Sequence, residues 1–225
     1  VYIDEDGCKI SRFVEGCKSL DGIYYKDVDF MQELARKIRR FHDAGRNMVD
    51  WQEYFNDPIK EADRLMIDAS HMKGDLLSRF HRERGQIIRL FQYAERDGVE
   101  KTMCHNDINA DNCLLTDDSF DVIDWEFAGF NDPAYDFGRV IADYEFDDPA
   151  IDAILNAFFD RPATELERLH WIAYVGIHNW YYFGWALYKE SINEDTRDWM
   201  LFFYKKTRKV LDYALPRYEA YYKIR

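Results

Sequence analysis

Residues His105 to Asn112 read H-N-D-I-N-A-D-N, and the sequence V-I-D-W-E follows from Val122 to Glu126. Between these motifs lie two short apolar runs separated by a polar segment, a pattern that is typical of a tight β-hairpin. A hairpin returns the chain towards its starting point. We therefore expect Asp124 to lie close to Asp107 and Asn112, so that three side chains with oxygen atoms surround one site.

These three side chains suit the transfer of a phosphoryl group. Such a reaction needs a carboxylate that accepts the proton of the attacking hydroxyl, and oxygen ligands for Mg²⁺ beside the phosphates. Asp107 is the candidate base, and Asn112 and Asp124 are the candidate metal ligands, since amide and carboxylate oxygens bind hard cations. The separation of Asp107 and Asn112 is that of the protein-kinase catalytic loop. Asp and Asn are also common in ordinary turns, but the whole combination favours a catalytic site.

Composition narrows the class of protein. The chain has 225 residues, of which 47% are hydrophobic, enough for one substantial core. Its formal charge of −13 disfavours nucleic acid as a partner and suits a cationic small molecule better, although an acidic surface also serves solubility.

No apolar run is long enough to cross a bilayer and no signal-type segment is visible, so we expect no membrane partner and a cytoplasmic location. The four cysteines lack C-x-x-C spacing, which favours reduced thiols.

Helical periodicity dominates after an opening hairpin. We expect a helix that begins near Asp29 and ends at Gly45, a second after Pro58, and a third from Asp75 to Ala94. A strand from Thr102 to Cys104 then leads into the H-N-D motif, and long helices fill the remainder of the chain. The sequence thus predicts a mainly α fold with small β-hairpins.

Four stretches of the chain resemble one family. They are K-I-S-R-F-V-E-G (Lys9–Gly16), C-H-N-D-I-N-A-D-N-C-L-L (Cys104–Leu115), I-D-W-E-F-A-G-F-N-D-P-A-Y-D-F (Ile123–Phe137) and W-Y-Y-F-G-W-A-L-Y-K-E (Trp180–Glu190). The chain resembles the kinase-like small-molecule phosphotransferases, which include aminoglycoside phosphotransferases and choline and ethanolamine kinases, and among these it is most similar to bacterial choline kinases. Ala110 stands where members of the family often have proline, a departure that removes no chemical group.

The resemblance implies the carboxy-terminal lobe of a protein-kinase-like fold. Residues 1–18 would form a hairpin that includes the hinge strand, Lys9 to Gly16, with Phe13 and Val14 offering backbone groups to the adenine of ATP. Residues 19–225 would form the helical lobe with the catalytic loop and a substrate pocket. The amino-terminal nucleotide lobe is absent from this sequence, and we expect it to act in cis in a longer protein. His105 and Asp136 would hold the catalytic loop rather than take part in the chemical step.

The resemblance also implies a box of aromatic residues for a choline-like substrate. Trp185, Tyr188 and Tyr204 would form the box. Trp180 and Tyr182 would be candidates for additional walls, with at least one of them expected to pack in the core instead. Glu126 would either bond the loop or offset the ammonium charge, and the sequence does not choose between these roles. A second reading is that the aromatic stripe is ordinary core packing, which is the usual fate of such residues. Tyr174, His178, Tyr181, Trp185 and Tyr188 share one helical face and belong to that stripe.

Together these observations predict an ATP-dependent, Mg²⁺-requiring phosphotransferase that acts on the hydroxyl of choline or a similar amino alcohol. Two alternatives remain open. The substrate would be an aminoglycoside if the pocket offered several carboxylates where we expect aromatic rings. The chain by itself would be a non-catalytic, choline-binding fragment if transfer required a separate nucleotide lobe.

Overall fold

The computed structural model describes residues 2–5, 8–19, 27–46, 57–69, 71, 74–116, 120–143 and 147–223. Within these ranges the chain is mainly helical with small antiparallel sheets, which confirms the predicted mainly α fold with small β-hairpins. The helices are α1 (Val28–Gly45), α2 (Pro58–Asp68), α3 (Asp75–Arg96), α4 (Tyr135–Asp143), α5 (Asp148–Phe159), α6 (Glu165–Ser191) and α7 (Arg197–Lys223). The strands are β1 (Tyr2–Ile3), β2 (Lys9–Ile10), β3 (Lys18–Ser19), β4 (Thr102–Cys104), β5 (Cys113–Leu115), β6 (Phe120–Val122) and β7 (Gly129–Asn131).

Helix α1 begins at Val28, close to the start that was predicted near Asp29. The side chain of Asp27 accepts hydrogen bonds from the backbone N–H groups of Asp29 and Phe30, so Asp27 is the N-cap and Val28 is the first helical residue. A short acceptor in this position satisfies N–H groups that have no partner inside the helix. The predicted end at Gly45 is confirmed.

The predicted hairpin after the H-N-D motif is present. Strands β5 and β6 are antiparallel, with Cys113 opposite Val122 and Leu115 opposite Phe120. Residues 117–119 of the predicted turn lie outside the described residues. A third strand, β3, pairs with β5 through Lys18 and Leu115. The sequence did not predict this pairing, because a two-residue strand carries no pattern of its own.

The opening hairpin is shorter than expected. Strand β1 pairs with β2 through Tyr2 and Ile10. The proposed hinge strand was to run from Lys9 to Gly16, but the strand ends at Ile10. Phe13 lies beyond it and is 81% exposed.

Helix α6 is the centre of the core and packs against α2, α3, α4 and α7. Its side chains Tyr174, Trp180 and Phe183 are fully buried. The approach of α4 to α6 depends on Gly138, since a Cβ atom there would lie 2.6 Å from the Cβ atom of His178. Any larger residue would therefore push the two helices apart. No helix among the described residues has the length and apolar character needed to span a membrane.

Candidate active site

The loop from His105 to Asn112, here called the HND loop, leaves β4 and is fixed by the buried carboxylate of Asp136 at the start of α4. Asp136 Oδ2 accepts a hydrogen bond from the backbone N–H of His105 (3.0 Å), and Oδ1 accepts one from that of Asn106 (2.7 Å). His42 Nε2 of α1 lies 2.8 Å from Asp136 Oδ2. The predicted hydrogen bonds of Asp136 are confirmed, and they tie the loop to two helices.

Asn106 makes the bend of the HND loop possible. It has a φ of 67°, in the left-handed region that asparagine tolerates better than most residues. Its side-chain nitrogen donates to the backbone oxygens of Phe127 (2.8 Å) and Gly129 (3.3 Å), and its side-chain oxygen accepts from Asn131 (2.9 Å). The next residue, Asp107, is thereby presented at the surface of a fixed turn.

Both carboxylate oxygens of Asp107 have partners. Oδ2 accepts a hydrogen bond from Asn112 Nδ2 (3.0 Å), and Oδ1 accepts one from the hydroxyl of Tyr182 (2.6 Å). The guanidinium of Arg139 lies 4.0 Å from Oδ1. Asn112 also donates to the backbone oxygen of Asp107 (2.9 Å), so its nitrogen faces the loop and its carbonyl oxygen is the atom suited to a metal.

The β5–β6 hairpin returns the chain to Asn112. The backbone N–H of Ile123 donates to the backbone oxygen of Asn112 (2.8 Å), and His105 Nε2 lies 2.8 Å from the backbone oxygen of Ile123. His105 Nδ1 accepts from the N–H of Asp107 (3.2 Å), so Nε2 carries the proton and donates. These bonds fit the locking role expected of His105. Asp124 follows directly, with a φ of 63° and an exposed side chain.

A cavity of about 400 Å³ opens beside Asp107. Most of its wall is aromatic, with ring contacts between neighbours: Tyr182 to Phe203 at 5.4 Å and Trp199 to Phe203 at 5.7 Å between ring centres. Its lining consists of Asp107, Phe127, Arg139, Tyr181, Tyr182, Trp185, Trp199 and Phe203. The predicted base therefore stands at the edge of a pocket that is large enough for a small molecule.

The hydroxyl of Tyr182 keeps its proton at neutral pH and acts as a hydrogen-bond donor. Burial raises the pKa of Tyr182 well above its ordinary value, and the negative charge of Asp107 raises it further, while Arg139 acts in the opposite direction. Tyr182 therefore stays protonated and can hold Asp107 in one orientation.

The predicted substrate residues divide into two groups. Trp185 and Tyr182 line the cavity. Trp180 does not, because it is completely buried and stacks on Phe80 at 4.5 Å between ring centres; its assignment as a pocket wall is corrected to a core residue. Tyr188 and Tyr204, the other two members of the expected box, are not among the residues that line this cavity.

Tyr204 turns away from the cavity towards α3. Its hydroxyl accepts a hydrogen bond from Arg79 (3.0 Å), and the Arg79 guanidinium lies 5.3 Å from its ring centre. Tyr188 packs half-buried against the core. The Glu126 side chain is exposed. Phe13 and Val14, the expected adenine contacts, follow β2 in a segment without regular structure.

Sequence reasoning did not select several residues of the cavity wall. Trp199 and Phe203 lie four residues apart on α7, a spacing that places them on one helical face and could have indicated a second wall. Phe127 and Arg139 follow the second aspartate motif, but nothing in their spacing distinguishes them. Tyr181 was noted only as part of the aromatic stripe.

A second buried network joins the site to the carboxy-terminal helix. His170 of α6 lies between two carboxylates, with Nδ1 2.8 Å from Asp97 Oδ2 and Nε2 3.0 Å from Asp132 Oδ2. Asp97 also accepts hydrogen bonds from the hydroxyls of Tyr218 and Tyr222, each at 2.6 Å. Burial alone would lower the pKa of His170, but the charge of Asp132 and the hydrogen bonds to both carboxylates raise it to about 9. The imidazole is therefore a buried cation at neutral pH.

The family model described as "Phosphotransferase enzyme family" matches residues 12–172, which is more than half of the chain. The chain belongs to this family. Protein LicA of Haemophilus influenzae is 25% identical over 235 residues, which cover 98% of this chain and 61% of the relative. Probable choline kinase 3 of Arabidopsis thaliana is 25% identical over 160 residues, 64% of this chain and 43% of the relative. The chain thus spans less than two thirds of the length of these relatives.

Solved structures show the same fold. A choline/ethanolamine kinase family protein from Mesorhizobium loti superimposes with a TM-score of 0.79 at 17% identity, covering 97% of this chain and 75% of that one. LicA in complex with AMP superimposes with a TM-score of 0.73 at 20% identity, covering 94% of this chain and 71% of that one. The predicted resemblance to choline kinase-like enzymes is confirmed.

Proposed function

We propose that this chain carries the catalytic loop and substrate pocket of a kinase that transfers the γ-phosphoryl group of ATP to the hydroxyl of choline or a similar small amino alcohol. The single observation that carries the proposal is the position of Asp107. A carboxylate suited to accept a hydroxyl proton stands at the edge of a cavity whose other walls are mainly aromatic.

The aromatic walls suit a quaternary ammonium group. Such a group has no N–H donors and spreads its charge over methyl groups, so it binds to ring faces without needing hydrogen-bond acceptors. Trp185 and Trp199 contribute indole rings to the lining of the cavity. A desolvated contact of this kind contributes about 2 kcal/mol, so two of them correspond to roughly a thousandfold in affinity if they add.

Within this proposal the residues of the chain have separate tasks. Asp107 accepts the proton of the substrate hydroxyl as that oxygen attacks the terminal phosphorus of ATP. Tyr182 and Asn112 keep the carboxylate in position, through the bonds at 2.6 and 3.0 Å. The walls exclude water and orient the alcohol, which accounts for much of the catalysis in a reaction that needs little covalent chemistry from the protein.

The side-chain oxygens of Asn112 and Asp124 are suitable ligands for a magnesium ion. Asn112 offers a carbonyl oxygen and Asp124 a carboxylate, which are the ligand types that Mg²⁺ prefers. The Ile123–Asn112 backbone bond joins the segments that carry the two residues, one just before β5 and one just after β6. When bound, the ion would neutralise charge on the phosphate oxygens. We further propose that Phe13 and Val14 offer backbone groups to adenine; nucleotide binding itself is supported by LicA, which has the same fold and was solved in complex with AMP.

The charges in the cavity favour an amino alcohol over an aminoglycoside. A polycationic sugar requires several carboxylates, whereas the lining contributes the carboxylate of Asp107 and the guanidinium of Arg139. A non-catalytic role for the chain by itself is the second candidate, because it covers 61% of the length of LicA.

A substrate panel tests the proposal. We expect ADP release in the presence of ATP, Mg²⁺ and choline, with weaker or no release for kanamycin. Choline binding is measured in parallel by calorimetry. Binding without turnover would favour the non-catalytic fragment, and a preference for kanamycin over choline would overturn the assignment.

A further inference from the structure

The cavity contains a positive charge that a pocket for a cation would not be expected to hold. Arg139 lines it, and its side chain is only 20% exposed. The guanidinium carbon lies 5.0 Å from the ring centre of Tyr182, and a terminal nitrogen lies 4.0 Å from Asp107 Oδ1. Arg139 thus occupies one face of an aromatic wall residue at the end of the cavity where the base stands.

Two features keep this charge in place. Arg139 follows Gly138, where α4 is in such close contact with α6 that no side chain fits. The guanidinium lies near both the ring of Tyr182 and the Asp107 carboxylate, and the hydroxyl of Tyr182 donates to the same carboxylate oxygen, so the three groups support one another. The positive field also reaches deeper into the site: the pKa of His178 is lowered first by burial and then by Arg139.

Arg139 places its charge beside Asp107 and the ring of Tyr182. The substrate hydroxyl must react at Asp107, which is 4.0 Å from the Arg139 guanidinium. Trp185 and Trp199 contribute uncharged indole rings to the same lining; the ammonium of Lys189 lies 5.8 Å from the ring centre of Trp185 but is paired with Glu194 at 3.0 Å. A ligand with one positive charge can place its hydroxyl at Asp107 and its ammonium against the tryptophans, away from the guanidinium. A ligand with two or more positive charges cannot keep all of them away, and like charges repel strongly in a partly desolvated pocket.

We propose that Arg139 is a specificity-determining residue that restricts this pocket to substrates with a single positive charge. The inference rests on the proposed function, because it concerns the substrate class of the same site. It explains how an aromatic pocket beside a carboxylate would accept a simple amino alcohol and reject a polyamine or an aminoglycoside.

The test compares three ligands in wild type, Arg139→Gln and Arg139→Lys. The ligands are 3,3-dimethylbutan-1-ol, which is an uncharged analogue of choline, then choline itself, and 1,3-bis(trimethylammonio)propane, which carries two permanent charges. Dissociation constants are measured by calorimetry at one low salt concentration. We expect Arg139→Gln to reduce the preference for choline over the dication by roughly tenfold or more, because one repulsive charge at this range is removed. Arg139→Lys keeps the charge and should keep the preference.

The neutral analogue is the internal reference. Its affinity should change less than that of either cation in Arg139→Gln, since it does not interact with the removed charge. A ratio of affinities measured on one preparation is insensitive to the fraction of molecules that are folded. An unchanged choline-to-dication ratio in Arg139→Gln would overturn the proposal, as would an equal change for all three ligands.

These measurements distinguish failure of the Arg139 proposal from failure of the proposed kinase function. If choline binds to wild type but no ADP is released, the kinase assignment fails while the affinity ratios still decide the role of Arg139. If choline is phosphorylated and the ratio is unchanged in Arg139→Gln, only the role of Arg139 is refuted. If choline does not bind to wild type at all, both proposals are refuted.

Discussion

The hydroxyl of Tyr182 donates a 2.6 Å hydrogen bond to Oδ1 of Asp107, so a residue of the pocket wall directly holds the predicted base. The two residues are 75 positions apart in the sequence, on α6 and on the HND loop. The wall that would contact the substrate is therefore physically linked to the group that would deprotonate it.

This link predicts the behaviour of Tyr182→Phe. The ring remains, so the KM for choline should change by less than about threefold, whereas loss of the hydroxyl leaves the carboxylate less well oriented and should lower kcat by roughly tenfold or more. Steady-state kinetics separate these quantities. Tyr181→Phe is the matched control, because it removes a hydroxyl from the same cavity wall without removing a bond to Asp107. Equal kcat values in the two variants would contradict the positioning role.

Asp107→Asn should abolish proton transfer while preserving shape. Because a neutral amide cannot act as a general base, we expect kcat to fall by about a hundredfold or more, with choline affinity nearly intact. Rapid-quench measurement of product formation together with calorimetry of choline binding provides the check. A variant that turns over at the wild-type rate would remove Asp107 from the reaction.

Asp124→Asn should change the metal requirement. An amide is a weaker ligand than a carboxylate, so we expect the Mg²⁺ concentration for half-maximal activity to rise on the order of tenfold. EDTA should eliminate activity in wild type, and added Mg²⁺ should restore it. Asp121→Asn is the control on the same hairpin, since Asp121 is largely exposed and pairs with Lys37. The role of Asp124 is refuted if both variants show the wild-type requirement.

Two tryptophans of α6 should respond in opposite ways. Trp185 lines the cavity, so Trp185→Ala should weaken choline binding by roughly tenfold or more through loss of a ring face. Trp180 is buried against Phe80, so Trp180→Ala should instead lower the free energy of unfolding by about 3–5 kcal/mol. Chemical denaturation and calorimetry on both variants distinguish these effects. The assignment of the wall would be wrong if Trp185→Ala bound choline as tightly as wild type.

The buried His170 predicts a loss of stability at alkaline pH. Its pKa is about 9 in the folded protein against an ordinary value of 6.5, so protonation favours the folded state. This contribution is complete below pH 6.5 and is lost as the pH rises towards 9, by up to about 3 kcal/mol. His170→Gln should flatten the dependence of the unfolding free energy on pH over this range. His81→Gln, at an exposed position, should leave it unchanged; an equal slope in wild type and His170→Gln would contradict the prediction.

Local sequence patterns were sufficient to predict the strands around the site. The strand Thr102–Cys104 and the β5–β6 hairpin are where the sequence indicated, because apolar runs bounded by polar turns have few other structures available. The hydrogen bonds of Asp136 followed from the resemblance and could not be worked out from spacing alone. The start of a helix was predicted less accurately. Helix α1 was expected to begin near Asp29, but its N-cap is Asp27 and its first residue is Val28.

The pocket wall was harder to predict because it depends on how helices pack. Trp180 and Tyr182 are neighbours in sequence but lie about 200° apart around a helix, so one enters the core and the other the cavity. Trp199 comes from a second helix, and Arg139 from a third element, with no repeating pattern to connect them. Which faces meet is decided by tertiary contacts such as that of Gly138 with His178.

The anchoring of the HND loop has a consequence for engineering. Asp136 and His42 fasten the loop to α4 and α1, whereas five of the eight residues that line the cavity belong to α6 and α7. Most of the aromatic wall and the loop that carries Asp107 therefore reside on separate segments of backbone, while Arg139 of α4 stays with the loop. Replacing the α6–α7 hairpin with that of another family member would exchange the preferred alcohol while leaving the reactive carboxylate where it is, provided that the transplanted helix supplies a tyrosine at the position of Tyr182.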